Sequence, residues 1–392
     1  KGFHTIIDAN VVTVITALVL FAVATAGVKG FALMLIIGVV ISLITAVGAT
    51  RAMLGLLAGF HWFENPRFMG AAGQQGAKWL QIDFMKRRYL WFAISGAAVA
   101  VGLISLGVRG LNLGIDFEGG TQITFETSRP EQLGDVRTQV GRRDAVIQGR
   151  GAKTGEESYR QFQIRTKHLS NDAQDRLSND LKQRYGRQIA IGVKNVSSSF
   201  GRQIARSAIL AIVFSLFLIV LYITIRFDFK FALPVIVALL HDIVITIGVY
   251  ALWGREVSTS TVAAVLTVLG YSIYDTIIIF DRIRENVHIL RRASFATITN
   301  VSLWETIRRS LATTLITLLP VAALLLFGGD TLKDFAFALL VGVASGAYSS
   351  IFIAAPLLAI WKGGFRPIEP QVSTDTSGGT PALSHQQRGR LS

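Results

Sequence analysis

Five ionisable residues stand inside, or at the ends of, long apolar runs. They are Asp8 in IIDANVV, His241 and Asp242 in ALLHDIVITIG, Asp275 in GYSIYDTIIIF and Arg309 in RRSLATTLITLLP. An ionisable side chain at the centre of a bilayer costs about 3 kcal/mol or more, so each needs a partner or a task. Poor solvation favours the protonated form of a carboxylate, and a nearby arginine opposes it. A group held between those pulls can load a proton on one side and release it on the other. Each charge that crosses a membrane is worth about 2.3 kcal/mol per 100 mV, enough to bias two arrangements of a helix bundle. The chemistry these residues offer is proton transfer.

Asp275 follows Tyr271 by four residues and Thr267 by eight, so the three share a helix face. At 1.5 Å per residue it lies about 9 Å inside Asp281, where the charges that end the run begin. The competing reading is a structural hydrogen bond to a neighbouring helix. His241 and Asp242 are adjacent and point in different directions; they suit a structural pair or a proton relay equally well. Arg309 either snorkels at a helix end or is the counter-charge of an intramembrane acid. Thr313, Thr314 and Thr317 offer hydroxyls for bonds between helices. Asp8 either caps a helix or faces the base from another span.

These residues need helices to hold them. The chain of 392 residues is 51% hydrophobic and only 16% charged, with a formal net charge of +14 and no cysteine. Ordinary soluble domains carry roughly a quarter charged residues, so the class is a polytopic membrane protein. Its basic residues are scattered among loops without interleaved aromatics, which argues against nucleic acid. No Walker-type loop, zinc-ligand spacing or Gly-x-Ser-x-Gly elbow is present, and no cofactor or metal is expected.

A helical span needs about 20 apolar residues. Eight segments qualify: 11–28, 31–58, 89–108, 204–225, 231–253, 257–280, 310–327 and 334–361. Arg67, Lys78, Lys86, Arg87, Arg88, Arg226, Lys230, Arg282, Arg284, Arg291, Arg292, Arg308 and Arg309 then fall on one side. Lys29, Arg255 and Lys333 fall on the other. The positive-inside rule puts the first set, and both termini, in the cytoplasm. The chain begins at Lys1 without a signal-peptide pattern and reads as a fragment.

The expected divisions are a helix pair over 1–59, a cytoplasmic linker over 60–88 and a lone span over 89–110. An extracytoplasmic α+β domain follows over 111–200, then five helices over 201–362 and a disordered tail over 363–392. The insert reads β-α-β-β-α-β, a ferredoxin-like order. GTQITFETS, AVIQGRG, YRQFQIRTKH and QIAIGVKNV are its strands; EQLGDVRTQVGRRD and SNDAQDRLSNDLKQRYG are its helices. GIDFEGGT suits a turn better than a phosphate cradle.

An internal repeat appears at an offset of 304 residues. KGFALMLIIGV, 29–39, matches KDFAFALLVGV, 333–343, with Thr13 on Thr317 and Leu20 on Leu324. Asp8 falls on Ala312, one turn after Arg309. Repeats are common in transporters, whose sites lie near the repeat interface.

VRGLNLGIDFEGGTQ, ALLHDIVITIGVYAL, VLGYSIYDTIIIFDRIREN and TIRRSLATTLITLLPVAALLLFGGDTLKDFA resemble SecF motifs from about Gln81 to Trp361. The first 54 or so residues are similar to the last two spans of SecD. The chain therefore looks like a SecD–SecF fusion cut within SecD, in the resistance–nodulation–division superfamily. That resemblance implies an accessory of bacterial Sec protein export, driven by the proton-motive force, and not a classical enzyme. It implies the SecYEG channel, the rest of SecD, YajC, YidC and the exported preprotein as partners, and the cytoplasmic membrane as location. By motif, Asp8 matches the SecD intramembrane acid, Asp275 the SecF acid and Arg309 the SecF arginine. Tyr274 stands where the family usually has Asn, and Glu118 replaces a commoner small or polar residue. Two other readings are a proton-coupled exporter of small molecules or lipids and a scaffold without coupling.

Overall fold

The computed structural model describes residues 2–23, 26–60, 82–151 and 153–362, with backbone only at 2–6, 8, 9, 23, 26–28, 330 and 331. Most of the expected linker and the expected tail lie outside the described residues.

The first pair of helices is α1 (Gly2–Val23) and α2 (Ala26–Ile44). A π turn, Thr45–Ala49, leads from α2 into α3 (Thr50–Leu57). α4 (Arg88–Arg109) follows. After the α+β insert come α8 (Ser198–Arg226), α9 (Phe229–Trp253), α10 (Thr259–Ile289) and α11 (Phe295–Phe327). The last pair closes with α12 (Asp330–Ser349), a π turn at Ser350–Ala354 and α13 (Ala355–Trp361). Among the described residues, seven helical stretches are long and apolar enough to cross a membrane, and the protein is multi-pass. The eighth expected span falls on α1, whose apolar part, Asn10–Ala22, is shorter than the others.

Helix ends differ from expectation where charges interrupt hydropathy without interrupting the helix. α10 continues past Asp281 to Ile289, and Arg282 bonds Glu285 (2.6 Å) and Glu305 (2.5 Å) to fix it against α11. α11 starts at Phe295, where the Ser294 hydroxyl accepts the Thr297 N–H. Its first half is amphipathic, burying Phe295, Ile298, Thr299, Ser302 and Leu303. Arg309 is thus mid-helix. α2 begins at Ala26, before the break expected at 29–30.

The repeat has a geometric counterpart. Phe31 and Phe335, 304 residues apart, meet edge to face at 5.3 Å. Direct contact between equivalent residues is what a two-fold relation between the two helix pairs produces. The second helix of each pair also carries a π turn, at Thr45–Ala49 and Ser350–Ala354.

The insert contains β1 (Asn112–Leu113), α5 (Ile115–Glu118), β2 (Gly120–Gln132), α6 (Leu133–Val140), β3 (Val146–Arg150), β4 (Ser158–Thr166), α7 (Asn171–Tyr185) and β5 (Ile191–Val196). Its sheet runs β3-β4-β2-β5 with every neighbour antiparallel, the pairing of a split β-α-β unit. Ile123, Phe125, Phe162 and Ile164 point to α6 and α7 and form a core with Val136 and Leu181. The alternate residues Gln122, Thr124, Gln161 and Gln163 line a cleft of about 660 Å³ facing the bundle.

GIDFEGGT forms the one-turn α5, followed by Gly119 (φ 77°) and Gly120 (φ 125°). A Cβ on Gly119 would lie 2.6 Å from the Ser198 backbone, so the loop needs glycine twice over, for conformation and for space. β6 (Glu256–Val257) pairs in parallel with β1 and ties the two loops at this end of the bundle.

The seam between sheet and bundle is ionic. Arg150 on β3 reaches Glu256 (2.7 Å) and Asp334 (3.2 Å), and Arg255 also reaches Asp334 (2.9 Å). Asp116 accepts from Lys194 Nζ (2.7 Å) and from the N–H and hydroxyl of Thr259, capping α10. Burial pushes the Asp116 carboxyl up, but Lys194 and these donors outweigh it and hold it below the usual range.

Candidate functional site

α10 is the hub of the bundle, packed between α1, α9, α11 and α12. Small residues permit that approach. A Cβ on Gly270 would sit 3.3 Å from Thr13 Cα on α1, and one on Gly346 would sit 2.8 Å from Ser272 Cβ. The spacing of Gly342 and Gly346 on α12 is the small-xxx-small pattern of close helix pairs. At 100° per residue, one side of α10 turns Tyr271 and Asp275 toward α1 and α11. The other turns Ser272 and Thr276 toward α9 and α12.

Asp275 is 2% exposed. Its Oδ2 accepts the Ser310 hydroxyl of α11 at 2.7 Å. Among the described residues, no Lys or Arg comes within the 4.0 Å of an ion pair, but the Thr314 hydroxyl and the Arg309 charge of α11 also act on it. One turn from each partner, Tyr271 Oη on α10 and Thr314 Oγ1 on α11 are buried without hydrogen bonds.

The sequence candidates are distributed unequally around this acid. Arg309 is exposed, and its Nη2 donates to Tyr274 Oη at 3.4 Å. The charge of Arg309 nonetheless acts on Asp275. Thr313 and Thr317 donate to carbonyls of their own helix, at 2.9 Å and 2.8 Å, and do not bridge helices. Thr267 likewise donates to Ala263 O, at 2.8 Å. Asp8 falls on α1, but its side chain lies outside the described residues. Its backbone is five residues before Thr13, as Asp275 is five after Gly270. Thr13 meets Gly270 where α1 packs on α10.

The second acid has a different environment. Asp242 is fully buried. Its Oδ2 accepts Ser272 of α10 (2.6 Å) and Ser349 of α12 (2.8 Å). Its Oδ1 accepts Ser345 of α12 (2.6 Å) and lies 3.1 Å from His241 Nδ1. The His241 ring stacks on Tyr348, whose hydroxyl accepts from Ser95 and donates to Trp91 O on α4. The three serines were not among the sequence candidates. Hydroxyls are ordinary in helices, and the only signal for them was the Gly342/Gly346 stripe beside Ser345 and Ser349.

Comparison with known proteins gives a consistent picture. The family described as "Protein export membrane protein SecD/SecF, C-terminal" matches residues 177–364, and the "SecD/SecF GG Motif" matches residues 104–131. The chain is 39% identical to the protein translocase subunit SecF of Desulfurispirillum indicum, over 74% of this chain and 94% of that protein. It is 34% identical to the protein translocase subunit SecDF of Bacillus subtilis, over 93% of this chain and 51% of that one. The crystal structure of SecDF from Thermus thermophilus, a translocon-associated membrane protein, superposes with a TM-score of 0.82 at 33% identity. That match covers 92% of this chain and 48% of the other. The chain thus spans about half the length of the SecDF proteins it matches.

Proposed function

This chain belongs to the SecD/SecF family of protein-export membrane proteins, and from that premise we propose that it is the ion-carrying part of an accessory subunit of the Sec translocase. On this reading it uses the proton-motive force to help late steps of export across the bacterial cytoplasmic membrane. Asp275 carries the proton, Asp8 is its counterpart on α1, and Arg309 is the base that closes on the acid in another arrangement. Tyr271, Tyr274 and Thr313 support that site. The SecYEG channel, the rest of a SecD portion, YajC, YidC and the exported preprotein are its partners. The α+β domain faces outward and both termini are cytoplasmic, as the asymmetry of basic loops favours.

The observation that carries the proposal is the condition of Asp275: buried within the bundle, without an ion pair among the described residues, and held by the Ser310 hydroxyl with Thr314 and Tyr271 close by. A purely structural acid would be expected to have its bonds completed. The test is Asp275→Asn in the full-length protein, in membrane vesicles with SecYEG and an imposed proton gradient. The expected result is at least a tenfold loss of gradient-dependent preprotein movement, with normal insertion and co-purification with SecYEG. Unchanged stimulation would sink the coupling and leave a scaffold.

A further inference from the structure

The cleft between the sheet and the bundle has its charges already matched. One face of the sheet is filled by α6 and α7, whereas the face with Gln122, Thr124, Gln161 and Gln163 stands off from the bundle across about 660 Å³. That volume is in the range of ligand sites, about 300–1,000 Å³. Arg150 pairs with Glu256 and Asp334, and Lys194 pairs with Asp116. Glu126 accepts from Gln161 Nε2 at 3.3 Å. A charged ligand would have to displace these partners. What is left over is uncharged. The Gln122 side chain, half-buried on the central strand β2, forms no hydrogen bond among the described residues. Its amide carries two donors and an acceptor oxygen.

One rim of the cleft is β5, through Gly192 and Lys194. β5 is an edge strand, paired with β2 on one side only, and residues 192–195 are exposed. An edge strand presents main-chain N–H and C=O groups that another strand can take. Glycine inside a strand often marks the close approach of a ligand or a second backbone. Gly192 lies opposite Thr124, and a Cβ there would sit 2.8 Å from Thr124 Oγ1. The glycine thus leaves that hydroxyl uncovered at the rim. Its one hydrogen bond is long, 3.4 Å to Gly192 O.

We propose that this cleft holds an extended segment of polypeptide, laid along β5 and bound by its main chain. The inference rests on the translocase reading above, in which the occupant is the exported chain. Every residue except proline repeats one main-chain donor and one acceptor, whatever its side chain. A free amide, an uncovered hydroxyl and an open strand edge match that repeat and read no sequence. β5 has six residues, about 20 Å of strand, and pairs with a segment of similar length. Ser258, Thr259 and Ser260, at the start of α10, line the bundle side of the cleft. The segment is therefore held against the outer end of the helix that carries Asp275.

The experiment measures fluorescence anisotropy of labelled, unstructured peptides with the full-length protein in detergent, without a gradient and without SecYEG. Two peptides of equal length and opposite net charge should bind within about threefold of each other. A polyproline peptide of that length has no main-chain N–H and should bind at least tenfold more weakly. Gln122→Leu removes the free amide and should weaken both charged peptides about fivefold. The chain has no cysteine, so single thiols can be placed cleanly. A peptide carrying a pyridyl disulfide should label Thr124→Cys at least tenfold faster than Asp175→Cys on α7, after correction for each thiol's reactivity with free reagent. Equal labelling, a strong preference for one charge sign, polyproline binding as tightly, or unchanged binding by Gln122→Leu overturns the proposal. No export is measured here, so that failure leaves the carrier reading of Asp275 standing. Peptide binding kept beside export that is indifferent to Asp275→Asn overturns the carrier alone.

Discussion

Asp275 and Asp242 are carboxylates closed off within one bundle, 2% and 0% exposed, and they differ in what surrounds them. Asp275 has the Ser310 hydroxyl at 2.7 Å, with Thr314 also acting on it and Tyr271 one turn away. Asp242 has three hydroxyls and an imidazole. Both cost desolvation. Only Asp242 has that cost met by bonds to its charged form. A sparsely served acid changes its proton with little rearrangement of neighbours; a fully served one cannot change without releasing several. The same residue type thus suits a carrier in one place and a clasp in the other.

The sharpest way to break this comparison is truncation. Asp242→Ala strands the buried hydroxyls of Ser272 and Ser345, each worth about 1–3 kcal/mol when unpaired, and leaves Ser349 only its bond to Gly346 O, whereas Asp275→Ala strands Ser310. Thermal unfolding in detergent should therefore fall several times further for Asp242→Ala. Equal losses would mean that the two environments are energetically alike.

A smaller effect should come from wedging the serine cage around Asp242. Gly346→Leu puts atoms where Ser272 now sits, and overpacking of this kind costs about 1–3 kcal/mol. It should weaken the Asp242 side of α10 and spare the Ser310–Asp275 bond on the other. Loss of ion-driven export equal to that of Asp275→Asn would show that the two sides are not separable.

The smallest expected effect lies outside the bundle. The Asp116 carboxyl is held below the ordinary value of about 3.9. Its contribution to the seam is complete above about pH 4 and is lost as pH falls below that, through the folded value. Lys194 is largely exposed, so the contribution is modest, under about 1 kcal/mol. Limited proteolysis of the loop at 114–120 should quicken below pH 4 in the native protein. It should lose that pH step in Asp116→Asn.

Much of this was legible in the sequence, for physical reasons. Asp275 stands out because a charge in an apolar run is expensive wherever the helix goes. The α+β domain was legible because Ile123, Phe125, Phe162 and Ile164 alternate with polar residues, and Gly186 ends α7. The start of α11 was missed because residues 295–309 are amphipathic, and a hydropathy window ends at their charges. The β1–β6 pair is two residues long, below what alternation can reveal. The cage and the seam join residues far apart in the chain, such as Asp242 with Ser349 and Arg150 with Asp334. No local pattern specifies which hydroxyl or carboxylate such residues will meet.

The paired π turns say something about order in time. A π turn holds one residue more than an α turn. The two here begin 305 residues apart, within one residue of the repeat offset. Two independent insertions at matching places require two events; one insertion that was later copied requires one. The extra residue is then older than the doubling, and the ancestor that doubled already carried the bulge in its second helix.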